Sequence, residues 1–300
     1  MDQSAHEGNC RRRCDESAAP VKVLFTGRAN GGSWQIRGVQ MAAGIGEAIP
    51  MASAERCREA DVIVGVKRIP PELLENIRRS GKPWAWDIVD AYPQPECSRW
   101  NEQEARFWFE ERLRSLRPDF LIWPTKRMQR DLGNEAAGAI IPHHFRPGLG
   151  KNPIREALGC VGYEGAEPYL GHWAGVLEVE ARRVGAKFLV NPPSLTECDA
   201  VVAFRSGTAD CYATRHWKSN VKLANAQGSG TPFLGQPDCG YLETASGAEL
   251  WCETREEIRC ALELLRSRAT REKISSRMLG HAISLADCQA ALLRVLRGLA

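Results

Sequence analysis

The chain has 300 residues, enough for about two domains of ordinary size, which excludes folds built on one small core. Lys and Arg number 40 against 37 Asp and Glu, and a net charge of +3 argues against a uniformly basic nucleic-acid coat or a polybasic membrane binder. Apolar residues make up 43% and charged residues 26%, an ordinary globular balance, and no apolar run approaches the roughly 20 residues that cross a bilayer.

Residues 1–20 are polar and rich in Ser, Ala and Glu, and are expected to form a disordered tail. The charged stretch from Cys10 to Cys14 lacks the apolar centre of a secretory signal, so a cytoplasmic protein is expected. The 11 cysteines show no Cys-x-x-Cys pair and no His at finger spacing, so no zinc site and no disulfide framework is implied. Order begins with a strand over 21–27, followed by a Gly-rich loop to Gly32 and a helix from Ser33 to about Gly46. A strand over 61–66 leads to a helix opened by Pro70 and Pro71, with Leu73, Leu74 and Ile77 at helical spacing. Strands follow at 83–89, 120–123 and 139–141, separated by a helix over 102–116 and a short one capped by Thr125. Strand alternating with helix predicts a parallel α/β sheet covered on both faces.

The stretch 142–153, rich in Pro, Gly and His, breaks that rhythm and reads as a linker. The rhythm then restarts, with strands at 159–163, 186–190, 200–204, 232–234 and 250–252. Helices are predicted at 168–184, 219–228, 256–268, 270–279 and 282–299, with a helical turn at 240–245. The division expected is a tail over 1–20, an N-terminal α/β domain over 21–145, a second over 154–281, and a closing helix over 282–300.

In open parallel sheets ligands bind beyond the carboxyl ends of the strands, so the loops after the strands carry the candidates. Arg28, Asn30, Gly31 and Gly32 follow the first strand, where glycines let a ligand approach backbone. The pattern is not Gly-x-Gly-x-x-Gly, which disfavours a nicotinamide cofactor. Lys218 and Lys222 stand at i and i+4 on one helix face. Two ammonium groups so placed repel unless solvent or an anion screens them, and a diphosphate suits them. Arg205, directly after a strand, is a further phosphate ligand. Asp90 also follows a strand, and reads either as base or acceptor clamp or as a turn-forming Asp. Asp87 reads as structural. Of His143 and His144 in the linker, one is expected at the cleft, since neighbours on an extended chain point oppositely. Trp34, Trp84, Trp86, Trp173 and Trp217 adjoin polar loops but read singly as core.

The segment from Lys218 to Leu234 resembles the donor-binding motif of group-1 glycosyltransferases with the GT-B fold. Lys222-Leu223, Asn225-Ala226 and Gly230-Thr231-Pro232 fall in step with that motif. The passage Ile140–Pro147 is similar to the family's interdomain passage, and the segments Gly159–Gly165, Asp199–Phe204 and Gly32–Gln40 resemble three further pieces. The resemblance implies two Rossmann-like domains with parallel sheets facing across a cleft, followed by C-terminal helices. It implies transfer of a sugar from a nucleotide-diphosphate donor, such as a UDP- or GDP-sugar, to a hydroxyl acceptor, with no metal and no other cofactor. Lys218, Lys222 and Arg205 would then hold the diphosphate. Asn225, Gly230 and Thr231 would face the nucleoside and sugar, and Asp90 and His143 would be catalytic. The family often carries a Glu where Asn225 stands, which makes Glu243 a substitute carboxylate for the donor. Two other readings stay open. One is a phage-type DNA glycosyltransferase using the basic run Arg106, Arg112, Arg114, Arg117, Lys126, Arg127 and Arg130. The other is a GT-B-like nucleotide-binding protein without catalysis. The expected partners are a donor and a glycan, small-molecule or DNA acceptor.

Overall fold

The computed structural model describes residues 21–90, 101–133 and 137–300; the expected tail lies outside them. A six-stranded parallel sheet runs in the order β2-β1-β3-β4-β5-β6. Its strands are β1 (Val23–Gly27), β2 (Gly46–Ala48), β3 (Val62–Val66), β4 (Trp84–Asp87), β5 (Phe120–Trp123) and β6 (Gly138–Ile140). The helices between them are α1 (Gly32–Trp34, continued by the wider-wound Gln35–Gln40), α2 (Ala54–Glu59), α3 (Pro71–Ser80), α4 (Glu102–Leu116) and α5 (Lys126–Leu132). Edge strand β2 and helix α2 were not anticipated; β2 has three residues, exposed or half-buried, and carries no apolar period. Gly31, at φ 105, takes the position before α1 that Ser33 was expected to fill.

Strand alternation sorts the N-terminal apolar residues onto two faces. Leu24, Ile63, Trp84, Trp86, Leu121 and Trp123 pack with α3, α4 and α5. Val23, Phe25, Val62, Val64, Ala85 and Ile122 pack on the opposite face.

The second sheet has five parallel strands in the order β11-β10-β9-β7-β8. They are β7 (Cys160–Tyr163), β8 (Lys187–Val190), β9 (Ala200–Ala203), β10 (Phe233–Gly235) and β11 (Leu250–Trp251). Helices α6 (Trp173–Arg183), α7 (Tyr212–Trp217), α8 (Val221–Ser229), α9 (Cys239–Leu242), α10 (Arg255–Leu265), α11 (Arg268–Leu279) and α12 (Leu285–Leu296) follow in chain order. The unanticipated α7 puts Cys211, Ala213 and Trp217 into the apolar layer of the N-terminal sheet, and Trp217 Nε1 donates to Asp131 at 3.0 Å. Helix α12 also crosses back. Cys288, Leu292 and Leu296 complete the second face of the N-terminal sheet, and Gln289 Nε2 donates to the carbonyls of Met41 and Ala43 at 3.1 and 2.6 Å. Among the described residues no helix is long and apolar enough to cross a membrane.

Each sheet has one point where the strand order reverses, between β1 and β3 in the first and between β7 and β9 in the second. The loops leaving those strands diverge there and open a crevice.

Candidate functional site

At the second reversal the loops after β7 and β9 and the face of α8 enclose a cavity of about 150 Å³. Gly165 and Tyr169 form one wall, Arg205 another, and Lys218 and Lys222 a third. Gly165 sits at φ +146, and a Cβ there would come within 3.0 Å of Lys222 Nζ. The backbone conformation favours glycine there, and a side chain would also crowd the Tyr163 hydroxyl and the lysine tip. Lys222 Nζ stands over the Tyr163 ring, 3.7 Å from its centroid. Burial, reinforced by Arg205 and Lys218, holds its ammonium well below the usual lysine range. Burial also lowers Lys218, opposed by the charge of Asp90. The cavity thus gathers the basic side chains of Arg205, Lys218 and Lys222 on its walls.

Arg205 is mostly committed to its own domain. Its guanidinium pairs with the Asp238 carboxylate and donates to the Tyr241 hydroxyl at 3.3 Å. Burial disfavours that charge, but Tyr241 and Asp238 outweigh it and keep Arg205 strongly basic.

Asp90 joins the two domains. Its Oδ2 accepts from Lys218 Nζ at 2.6 Å, and its Oδ1 lies 2.5 Å from Lys67 Nζ. Burial alone would raise this carboxyl, yet the Lys218 and Lys67 ammonium groups outweigh burial and hold it far below the usual carboxylate range. Such a group is a weak proton acceptor. Val89, just before it, has φ 71, a strained conformation for a β-branched residue. That turn is pinned by Val89 N–H donating to Asp87 Oδ1 at 3.2 Å. Asp87 itself pairs with Arg37 at 2.7 Å, with both side chains buried, in keeping with a structural role.

His143 is buried, and its Nε2 lies 3.3 Å from the Val89 carbonyl. Burial, aided by Arg37, pushes it down to about 3, so the ring is neutral at physiological pH. Its backbone N–H donates to Asn220 Oδ1 at 2.9 Å, and Asn220 returns a bond to its carbonyl at 3.3 Å. This exchange ties the linker to the start of α8. His144 also turns to backbone, with ring nitrogens 2.8 Å from Phe145 O and 3.4 Å from Ile36 O.

The other expected donor ligands divide. Asn225 Nδ2 donates to Glu164 Oε2 at 3.3 Å, and its Oδ1 accepts from Arg146 N–H at 3.0 Å. It therefore supports the loop after β7 at the rim of the cavity. Thr231 has no exposed surface and bonds Asn152 Nδ2 at 3.0 Å. Gly230 ends α8 at φ 67, where a Cβ would meet Ser275 Oγ and Leu279. Glu243 is taken up elsewhere: its two oxygens accept from Lys126 and Arg127 N–H at 2.6 and 2.7 Å, so it caps α5 across the domain boundary. None of these last three is brought to the cavity. The five tryptophans singled out are all buried.

At the first reversal Arg28, Asn30, Gly31 and Lys67 line a cavity of about 190 Å³, which shares Arg28, Asn30 and Arg68 with a wider one of about 760 Å³. Lys67 was not singled out in the sequence, and Glu164 and Gly165 figured there only within the segment Gly159–Gly165, without a site role. All three follow strands, and extending the strand-end rule from β1 and β9 to β3 and β7 would have found them.

Part of the basic run of the N-terminal domain is paired within the domain. Arg106 pairs with Glu102 at 2.7 Å, Arg127 with Asp131 at 2.7 Å, and Arg114 with Glu110 and Glu111.

No protein-family model matches the chain, and no curated protein matches it in sequence. Its fold does match solved structures. Alr3699/HepE of Anabaena, solved with UDP-glucose, aligns at a TM-score of 0.65 and 12% identity over 93% of this chain and all of that one, a coverage of 100%. AviGT4, a glycosyltransferase of avilamycin A biosynthesis, aligns at 0.56 and 12% identity, covering 93% of this chain and 98% of that one. TarM aligns at 0.57 and 11% identity over 79% of this chain and 54% of that one. The likeness is one of fold, and with the two parallel sheets it establishes the two-domain GT-B architecture.

Proposed function

We propose that the protein is a glycosyltransferase that moves a sugar from a uridine-diphosphate sugar to a hydroxyl acceptor. The observation that carries this reading is the cavity at the β7/β9 reversal, where Lys218 and Lys222 converge beside Arg205. Its setting supports it, since the fold is shared with a protein solved with UDP-glucose.

Each residue then has a task. Lys222 and Lys218 meet the diphosphate and stabilise the charge that grows on it as the glycosidic bond breaks, which is where fixed charge lowers a barrier. Gly165 leaves room for a phosphate beside Lys222. Arg205 is held by Asp238 and Tyr241 and contributes its field to the same wall. Asp90 orients Lys218 and Lys67. Gripped by both, it is a poor base, and the departing diphosphate oxygen receives the acceptor proton. Asn225 steadies the β7 loop through Glu164. Asn220 and His143 fix the linker about which the two domains close.

Calorimetric titration with UDP, GDP, UDP-glucose and pyrophosphate tests the reading. UDP is expected to bind with a Kd well below about 1 mM, and incubation with the matching donor is expected to release UDP. Absence of binding by every nucleoside diphosphate would overturn it. Tight UDP binding with no UDP release from any nucleotide sugar would instead favour a binding protein.

A further inference from the structure

The cysteines among the described residues are free thiols, and two of them stand side by side. Cys160 opens β7, and Cys198 stands just before β9. They are 38 positions apart, and the Cys160 Sγ–H donates to Cys198 Sγ at 3.7 Å. Both side chains are buried.

The strand register brings them together. Val161 pairs with Ala200, so Cys160 stands opposite Asp199, whose N–H donates to the Cys160 carbonyl at 2.8 Å. Cys198 lies one residue further back and is also extended, at φ −98 and ψ 141. A lateral spacing of about 4.8 Å and a rise of about 3.3 Å put the two Cα atoms about 6 Å apart. Disulfides close over Cα separations of roughly 4.4–6.8 Å. Gly162 makes room for the second thiol, since a Cβ there would collide with Cys198 Sγ. The backbone is held on both sides. Asp199 Oδ2 accepts from the N–H groups of Gly159 and Cys160 at 2.8 and 2.9 Å, and Asn152 Nδ2 donates to the Cys198 carbonyl at 2.6 Å. Closing from 3.7 Å to the roughly 2.05 Å of an S–S bond then falls to rotation of the side chains.

We propose that Cys160 and Cys198 are a redox modification site, closing to a reversible disulfide when a small-molecule disulfide is supplied as oxidant. One cysteine, as thiolate, attacks the oxidant and expels the first small thiolate. The other, as thiolate, attacks the protein sulfur of the mixed disulfide and expels the second. One S–S bond forms in the protein, the S–S bond of the oxidant is reduced, and the two protons lost by the protein thiols end on the two small thiols. Burial pushes both thiols up, so reaction waits on local opening of the strands. The bond ties together the two strands that diverge at the second reversal, β7 leading to Gly165 and β9 to Arg205. The inference does not rest on the glycosyltransferase reading.

The full chain is equilibrated with mixtures of oxidised and reduced glutathione, in buffer and in concentrated urea, then quenched, alkylated and mapped by peptide mass spectrometry. A link between Cys160 and Cys198 is expected to be the leading protein disulfide in buffer. A fold that holds two thiols together raises their effective concentration, so the link should form with an equilibrium constant at least about tenfold higher in buffer than in urea. By linkage the bond favours the fold by the same factor, and the oxidised chain should unfold at a higher urea concentration than the reduced one. Cys160→Ser and Cys198→Ser should each abolish both the link and the shift in midpoint. Equal constants in buffer and urea, lasting glutathione adducts at Cys160 or Cys198, or a link from either to a third cysteine in place of this one would each overturn the inference. All three results are read on the unaltered chain, so poor folding of a variant leaves the test intact.

Discussion

Replacing Lys222 with Met removes one charge from the donor cavity and keeps most of the side-chain volume. The ammonium lies 3.7 Å above the Tyr163 ring and shares its wall with Lys218 and Arg205. Two unit charges about 4 Å apart interact by roughly 4 kcal/mol at an effective dielectric constant of about 20. Part of that is spent on desolvation, and removal of a single transition-state charge stabiliser typically costs about 10²- to 10³-fold in turnover. Release of UDP from a bound donor, followed by a coupled assay, is therefore expected to slow by at least about 10²-fold. The unliganded protein should respond in the opposite direction. Burial keeps Lys222 below its unfolded value, so the unfolded chain holds more protons between the two, and stability falls as pH falls through that window. Lys222→Met escapes that penalty, and its melting temperature at neutral pH should rise. A diphosphate returns the proton to Lys222. Calorimetry in two buffers of different ionisation enthalpy should show proton uptake on UDP binding above the free-state value, and the variant should lack it. Near-normal turnover, or equal uptake by the variant, would refute the reasoning.

Asp90→Asn should remove the carboxylate that Lys67 and Lys218 share and lower stability by about 3–5 kcal/mol in denaturant titrations, while the change in charge tightens UDP binding; weaker UDP binding would show that Asp90 meets the ligand favourably. The same carboxylate contributes stability above its unfolded value near 3.9, and this contribution is lost as pH falls toward its depressed folded value. His143 and His144 are both held below their ordinary range, so folding should weaken below about pH 6.5, by about 1.4 kcal/mol per unit for each ring left unprotonated. His143→Gln should flatten that slope in acid-unfolding curves. Glu243→Gln should cost about 1 kcal/mol by weakening the cap on α5 without altering UDP affinity; a large affinity loss would return Glu243 to the donor site. Duplex DNA should bind weakly, without the steep salt dependence of a protein that neutralises many phosphates.

The main strands and long helices were legible because each is bounded by a chemical signal. Pro71 opens α3, Thr125 caps α5 by accepting from Met128 N–H at 3.0 Å, and buried strands such as Val62–Val66 are continuous apolar runs. Helical spacing placed Lys218 and Lys222 on one helix face, and the structure corrects this: Lys218 closes α7 in an extended conformation and only Lys222 lies within α8. Both still reach one cavity. Partners distant in sequence were not legible. Asp90 and Lys218 are 128 positions apart, and nothing local to either specifies the other. Glu243 shows the same limit in reverse: its place beside α5 is set by how the domains meet, a relation between surfaces that no local pattern carries.

The return of α12 to the first sheet bears on how the molecule is made. Leu292 and Leu296 are fully buried against residues of β1 and β3, so the N-terminal sheet lacks part of one apolar face until the last helix has been synthesised. A nascent chain of about half length would expose that face, and the N-terminal domain would reach its full apolar cover only after α12 has emerged. The N-terminal unit is closed by a late event, so a ribosome-bound or truncated form lacking α12 should be a target for chaperones rather than a working fragment.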